Sequence, residues 1–247
     1  KNRVLFINLR NNSRWLTLNN LLIQFYDLSD KYLVKIFLGP IAIATYSIPQ
    51  QLTGKLSIFS KGFSAFLLPN LSKKNQDIKS FNFTFKIFLI IIPIIIFFTF
   101  PLFDLFLNYW LKNNYNKEIL ILTKVFSLCS IFSCASHLLI TKFEATKTLN
   151  RNLKIEITLI PFFLGYLYFL TSNSFSLIYV SILILFKELI LLIIRLNLLK
   201  KSIYNLKIYY LFSTLLIVSL YFSIYFEKIF VIFPIVLLTI YFFNNDN

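Results

Sequence analysis

Residues 87–103 read IFLIIIPIIIFFTFPLF and contain no charged side chain. Such a run is too apolar for the surface of a water-soluble domain, and further apolar runs follow along the chain. Only 14% of the 247 residues are charged, whereas 57% are hydrophobic; soluble domains carry about a quarter charged residues. We therefore predict an all-α, polytopic membrane helix bundle, because a helix satisfies its own backbone hydrogen bonds within the bilayer.

A helical membrane span requires about 20 mostly apolar residues. By that criterion we predict about eight transmembrane helices, the long second one bending at Pro49. They cover residues 15–38, 41–69, 83–107, 118–141, 154–171, 174–195, 206–226 and 229–244. The chain then divides into a cytoplasmic segment 1–14, a six-helix unit 15–200 and two additional helices within 201–247. The sequence has no methionine, and we expect it to be part of a longer protein.

Lysines and arginines are concentrated in alternate connections between these predicted spans. The connections on the other side hold only Lys112, Lys117 and Lys228. Because positively charged loops stay in the cytoplasm, both ends of the sequence are expected there. The cations counted as cytoplasmic include Arg14, Lys73, Lys142, Lys147, Arg151, Lys154, Arg195 and Lys200.

Composition argues against several function classes. The net charge of +15 comes from cations dispersed among spans and short loops, which does not indicate nucleic-acid binding. Cys129 and Cys134 lie in one apolar segment and offer neither a disulfide framework nor a metal-ligand spacing. With His137 as the single histidine, we expect no metal site, no cofactor and no enzymatic activity.

The stretch QFYDLSDKYLVKIFLG, residues 24–39, places charges inside the first predicted span. A charge at the bilayer centre costs about 3 kcal/mol on insertion scales, so this face should look into a protein or water-filled interior. Asp27 and Lys31 are also spaced for an i, i+4 ion pair, which leaves open whether Asp27 is functional or only neutralises Lys31. Asp30 lies beside the polar face, whose members follow at helical spacing: Thr17, Asn20, Gln24, Asp27, Lys31 and Lys35.

Polar side chains also follow helical spacing in the second, fourth and sixth spans. Lys55 lies near the middle of span two without an acidic neighbour and suggests an anionic ligand, whereas Lys61 is able to reach toward the membrane surface. In span six, Glu188 shares a face with Arg195, which predicts an internal ion pair. Spans three, five, seven and eight show no such face and are expected to contact lipid or pack peripherally.

The lysines of spans one, two and four together predict a cationic, hydrated interior. Such an interior suits a phosphate or pyrophosphate head group, which lysine ammonium groups bind as point charges. The patterns nominate as cationic cavity residues Lys31, Lys35, Lys55, Lys61 and Lys124. The polar residues expected to line the cavity with them are Asn20, Gln24 and Gln51.

Residues 30–73, DKYLVKIFLGPIAIATYSIPQQLTGKLSIFSKGFSAFLLPNLSK, resemble the start of the second half of polysaccharide flippases. These are the Wzx-type O-antigen and teichoic-acid transporters of the multidrug/oligosaccharidyl-lipid/polysaccharide exporter superfamily. The resemblance rests on an acid–cation pair (Asp30, Lys31), Gly39, the Tyr46-Ser47 segment and a Pro-x-x-Ser-Lys ending at residues 69–73. Residues 144–157, EATKTLNRNLKIEI, also resemble the family's cytoplasmic entry into a later span.

The resemblance implies the C-terminal lobe of a two-lobe transporter that works by alternating access, with its N-terminal lobe missing from this sequence. The implied substrate is an undecaprenyl-pyrophosphate-linked oligosaccharide, carried across the bacterial cytoplasmic (inner) membrane for O-antigen, lipopolysaccharide or related cell-envelope polysaccharide. Its partners would be this lipid-linked sugar and membrane lipids. Carried over to this sequence, Lys31, Lys35 and Lys55 become head-group ligands, and Asp27 and Asp30 become coupling or gating acids.

Two other classes are weighed against a flippase. A drug/cation antiporter of the same superfamily would need a net acidic cavity, which the lysines disfavour. A membrane-embedded polymerase or glycosyltransferase would need a large extracytoplasmic loop with clustered arginine, histidine or acidic residues. The longest predicted outer loop, about residues 104–117, has no such cluster.

Overall fold

A computed structural model describes residues 2–72 and 78–199, and these residues form helices and connecting turns without a β-strand. A short 3-10 helix, Lys112–Asn114, precedes α5. The predicted spans at 206–226 and 229–244, and the segment 201–247 that holds them, lie outside the described residues. The helices are α1 (Asn2–Gly54), α2 (Ser57–Ser72), α3 (Ile78–Thr99), α4 (Leu102–Leu111), α5 (Lys117–Ala145), α6 (Leu149–Ser172) and α7 (Leu177–Leu198).

Within the described residues, four helical segments are long and apolar enough to cross a membrane. A shorter apolar helix runs over Phe81–Ile96. This all-helical architecture agrees with the predicted fold class and is compatible with a membrane protein, whereas the count of eight spans and the two-lobe arrangement stay predictions. The four segments are Ser13–Pro69, Lys117–Ala145, Leu149–Ser172 and Leu177–Leu198.

Helix α1 reverses its direction at Gly39, where the backbone leaves helical geometry (φ 87°, ψ 179°). The hydroxyl of Tyr46 donates a hydrogen bond of 2.7 Å to Asp30, 16 positions earlier. In a straight helix 16 residues would span about 24 Å, so the arms 13–38 and 40–54 must lie side by side. Glycine adopts this backbone where other residues are strained, and Pro40 is suited to the first position of the second arm.

The second and third predicted spans are each divided in two. The second breaks after Gly54, at a turn that includes a 3.0 Å hydrogen bond from the Leu56 N–H to the Thr53 carbonyl. The helix continues through Pro49, and the bend expected at that proline stays a prediction. Glycine is a weak helix former, which accounts for the end of the helix at Gly54. The third becomes α3 and α4, which are separated near Pro101.

Helix α5 is the centre of the bundle and contacts each of the other six described helices. Its large side chains, Phe132 and Phe143 among them, are almost completely buried. The Thr141 hydroxyl donates a hydrogen bond of 2.8 Å to the Ser64 hydroxyl on α2. The arms of α1 pack against α5 and α6, and this packing buries the polar side chains of Asn19 and Asp30.

Two cations assigned to cytoplasmic connections are instead buried within the bundle. Lys142 and Arg195 are each only 3% exposed. The Lys142 ammonium lies 4.3 Å from the ring centroid of Phe81, an arrangement that offsets part of its desolvation. By contrast, Lys147 and Arg151 are exposed at the α5–α6 connection. The orientation of the chain in the membrane stays a prediction.

The connection between α4 and α5 lies outside the candidate spans and is held by two side-chain hydrogen bonds. The Tyr115 hydroxyl donates to the carboxylate of Asp104, and this bond raises the pKa of Tyr115 to about 12. The Asn116 side chain accepts a hydrogen bond of 3.1 Å from the Glu118 N–H and so caps the start of α5.

Candidate functional site

The first arm of α1 presents three distinct faces. One is buried and includes Asp30 and Val34. A second is apolar and exposed, as at Leu28 (66%) and Tyr32 (65%), and is suited to lipid. Helical spacing places the predicted polar face between these two. Its exposed members are Thr17, Asn20, Gln24, Asp27 and Lys35.

Asp30 lies where the two arms of α1 meet. Its carboxylate accepts hydrogen bonds from the Tyr46 hydroxyl (2.7 Å), the Gln50 amide (3.1 Å) and the Lys31 backbone N–H (2.6 Å). Three donors compensate a buried carboxylate for much of its lost hydration. Asp30 therefore links the two arms, and its predicted coupling or gating role is a separate, untested prediction.

Two adjoining cavities lie among α1, α2, α5, α6 and α7. The Lys31 cavity has a volume of about 310 Å³ and is lined by Asp27, Lys31 and Gln51, with residues of α5 and α7. The Lys61 cavity has a volume of about 250 Å³ and is lined by Asp27, Lys61 and residues of α5, α6 and α7. Because Asp27 and several other residues line both, we refer to the two cavities together as the hollow.

The structure places the predicted site residues in two groups. Lys55 is exposed in the turn between α1 and α2, and the Lys124 ammonium lies 5.3 Å from the ring centroid of Phe100. The predicted residues that line the hollow are Asp27, Asp30, Lys31, Gln51 and Lys61. Those that line neither cavity are Asn20, Gln24, Lys35, Lys55 and Lys124. The functional assignment of both groups stays a prediction.

A buried polar network joins α1, α6 and α7, and the sequence patterns did not reveal it. Arg195 donates hydrogen bonds to Glu156 (2.5 Å) and to the side-chain oxygen of Asn152 (2.8 Å). The Asn152 amide donates in turn to Asn19 (3.1 Å) and to Glu156 (3.0 Å). Span five was expected to contact lipid or pack peripherally, but α6 supplies two members of this network. The i, i+4 spacing of Asn152 and Glu156 is the sequence signal from which this network could have been predicted.

The predicted Glu188–Arg195 ion pair does not form. The two residues are seven positions apart on α7, a rise of about 10 Å, and Arg195 pairs across the bundle with Glu156 instead. Glu188 pairs with its neighbour Lys187 at 2.8 Å. The Lys187 ammonium also lies 3.8 Å from the ring centroid of Tyr26.

The described lining of the hollow contains as many acids as basic side chains. The acids are Asp27, Asp30, Glu156 and Glu188, and the bases are Lys31, Lys61, Lys187 and Arg195. The excess of cations expected from the lysines is therefore not found in these two cavities. Two ion pairs, Arg195–Glu156 and Lys187–Glu188, neutralise half of these charges.

Three charged groups of the hollow have no ion pair or side-chain hydrogen bond with another described residue: the carboxylate of Asp27 and the ammonium groups of Lys31 and Lys61. The spacing of Asp27 and Lys31 left an ion pair between them open, and no such pair occurs among the described contacts. Whether Asp27 is functional or neutralises Lys31 at longer range stays a prediction.

Neutral polar atoms of the hollow also lack partners among the described residues. They are buried, and buried polar groups are nearly always hydrogen-bonded to protein, water or ligand. These atoms are the Tyr26 hydroxyl, Gln50 Oε1, the Ser136 hydroxyl and His137 Nδ1. The hollow therefore presents charged and neutral groups able to bind a polar head group. No group of three or more metal-ligating side chains occurs among the described residues.

Comparison of the chain with family models, with curated proteins and with solved structures gives no match.

Proposed function

We propose that this chain is part of an alternating-access transporter that moves a lipid-linked oligosaccharide, of the undecaprenyl-pyrophosphate type, across a bacterial cytoplasmic membrane for polysaccharide biosynthesis. The observation that carries the proposal is the uncovered polar face of α1 beside the hollow. Asn20, Gln24 and Asp27 are exposed there, although polar and charged groups are costly in hydrocarbon. This face must therefore contact water or another part of the protein.

The groups of the hollow suit a phosphorylated sugar. The ammonium groups of Lys31 and Lys61 have no anionic partner among the described residues and are available to phosphate oxygens. The neutral groups of Tyr26 and Ser136 are available to sugar hydroxyls. Each cavity is close in volume to the smaller pockets that enclose drug-sized ligands, which is room for a head group rather than a whole oligosaccharide.

The remainder of the substrate and the second wall of the transport path belong, in this proposal, to an N-terminal lobe that covers the polar face of α1. Alternating access would then be a rocking of the two lobes about the head group. The lipid tail would stay beside the exposed apolar face, where Leu28 and Tyr32 lie.

A drug/cation antiporter of the same superfamily is the second candidate. It is favoured by one observation, the Asp27 carboxylate that lines both cavities without a partner among the described residues. A single free acid beside two free lysines does not give the net acidic lining that this class would need.

The test is loss of surface polysaccharide in cells that carry Lys31→Gln or Lys61→Gln in the full-length protein. Both variants should strongly reduce surface polysaccharide while the amount of protein in the membrane stays unchanged. Lys147→Gln removes an exposed cation outside the hollow and is the matched control. Normal polysaccharide in both hollow variants would contradict the proposal, and altered drug resistance with normal polysaccharide would support the antiporter instead.

A further inference from the structure

The unpartnered charges of the hollow are of both signs, and they are distributed in a specific way. Asp27 lines both cavities, whereas Lys31 lines only one and Lys61 only the other. The hollow therefore presents one carboxylate, shared by both cavities, and two ammonium groups that form no ion pair with another described residue. Unpartnered charges of both signs are expected of a site that binds a ligand carrying both signs.

Charged groups lie near Asp27, but none of the described ones forms an ion pair with it. Lys187 and Lys31 attract its carboxylate, whereas Asp30 and Glu188 repel it. Lys187 is already paired with Glu188 at 2.8 Å and lies over the ring of Tyr26. Asp30 and Glu188 are themselves acids and add negative charge near Asp27.

A ligand with only negative charge would fit this arrangement poorly. Asp27 and Lys31 are one helical turn apart, a rise of about 6 Å. A phosphate bound to Lys31 would therefore lie in the same cavity as the Asp27 carboxylate, in surroundings where like charges repel more strongly than in water. A protonated amine on the same ligand removes that repulsion and gives Asp27 a direct counterion while Lys31 holds the phosphate.

We infer that the hollow binds a head group that combines a phosphate or pyrophosphate with a protonated amine. The amine pairs with Asp27, and the phosphate oxygens pair with Lys31 or Lys61. This inference rests on the proposed function, within which the substrate becomes a lipid-linked saccharide with a free amino group. The same chemistry occurs in the head group of phosphatidylethanolamine, so the test must separate these two sources.

The test uses the full-length protein in phosphatidylcholine nanodiscs and two synthetic prenyl-pyrophosphate disaccharides. The two ligands differ only in one amino group, which is free in one and N-acetylated in the other. At neutral pH the free amine should bind about tenfold more tightly, the size expected for one charge-assisted hydrogen bond. Repeating the titration in nanodiscs that contain phosphatidylethanolamine measures competition by the lipid.

Variants assign the preference to Asp27. Asp27→Asn should bring the ratio of the two affinities close to one, and Asp27→Glu should retain most of it. Lys31→Gln and Lys61→Gln should weaken both ligands and leave the ratio unchanged. Asp104→Asn removes an acid that lines neither cavity and should behave as the wild type. Retention of the preference by Asp27→Glu shows that the loss in Asp27→Asn is not a folding defect.

Each outcome bears on one of the two proposals. Equal binding of the two disaccharides, or a preference that persists in Asp27→Asn, overturns the mixed-charge inference and leaves the transporter proposal standing. No binding of either disaccharide contradicts the transporter proposal as well. Strong competition by phosphatidylethanolamine supports the mixed-charge site and overturns the amino sugar as its ligand.

Discussion

The hydroxyl of Tyr46 donates a 2.7 Å hydrogen bond to the Asp30 carboxylate, although the two residues are 16 positions apart. This bond joins the two arms of α1 on either side of Gly39. The turn of helix that buries Asp30 also directs Asp27 and Lys31 toward the Lys31 cavity. The local hairpin and the candidate site are therefore parts of one arrangement.

Replacement of Gly39 should destabilise the protein. Its φ of 87° with ψ of 179° is a backbone conformation almost confined to glycine, and Gly39→Ala should cost about 1–3 kcal/mol of unfolding free energy. Denaturant unfolding of the purified protein in detergent measures this. Gly165→Ala is the control, because Gly165 lies inside α6 with free space around a Cβ. Equal effects of the two substitutions would contradict the special role of Gly39.

Removal of the Tyr46 hydroxyl should weaken the hairpin. Tyr46→Phe leaves the buried Asp30 carboxylate with one donor fewer and should cost about 1–3 kcal/mol. Tyr32→Phe, on the exposed face of the same helix, should change the unfolding free energy very little. The same denaturation experiment compares the two variants, and the interpretation fails if they are equally stable.

The buried Arg195–Glu156 pair should show strong energetic coupling. Glu156→Gln or Arg195→Gln alone leaves one charge buried without its partner, which typically costs about 3–5 kcal/mol. The double variant should recover a large part of that loss. Arg151→Gln, at an exposed position of α6, is the control for removal of a cation. Strictly additive losses in a double-mutant cycle would show that the pair contributes no coupling.

The two ends of α6 should face opposite sides of the membrane. Asn150 and Ser172 are exposed near its ends. They are 22 positions apart, which corresponds to about 33 Å of helix, enough to cross a bilayer. In a protein whose Cys129 and Cys134 are both replaced by serine, Asn150→Cys should react with a membrane-impermeant thiol reagent only when the reagent is added on the cytoplasmic side. Ser172→Cys should react only from the opposite side. Labelling of both from one side would exclude a transmembrane α6.

Local apolar runs were sufficient to predict three of the described helices closely. The predicted spans 118–141, 154–171 and 174–195 correspond to α5 (Lys117–Ala145), α6 (Leu149–Ser172) and α7 (Leu177–Leu198). The boundary between the first two spans falls at Gly39, as predicted. The extents of these helices and the boundary at Gly39 depend on residues that are close together in the sequence. A hydropathy pattern is read from the same residues and therefore predicts them.

The partners of buried charged and polar side chains could not be predicted from the hydropathy pattern. Asn19 and Asn152 meet across 133 positions of sequence, and helical spacing gives only the face of a residue's own helix. Arg195 and Lys142 lie near helix ends, where a cation looks like a topological signal, so both were assigned to loops. The spacing of Asp27 and Lys31 left an ion pair open, but it gave no sign that α7 brings Lys187 over the ring of Tyr26 and Glu188 to the same hollow.

Transport by the reconstituted full-length protein tests the proposed role of the hollow most directly. The measured quantity is the rate at which a fluorescent prenyl-pyrophosphate disaccharide crosses the bilayer of proteoliposomes. If Lys31 and Lys61 hold the phosphate head, the Lys31→Gln/Lys61→Gln double variant should lower this rate to that of protein-free liposomes, and Lys147→Gln should not change it. A double variant that transports at the wild-type rate would contradict the assignment of the hollow as the substrate site.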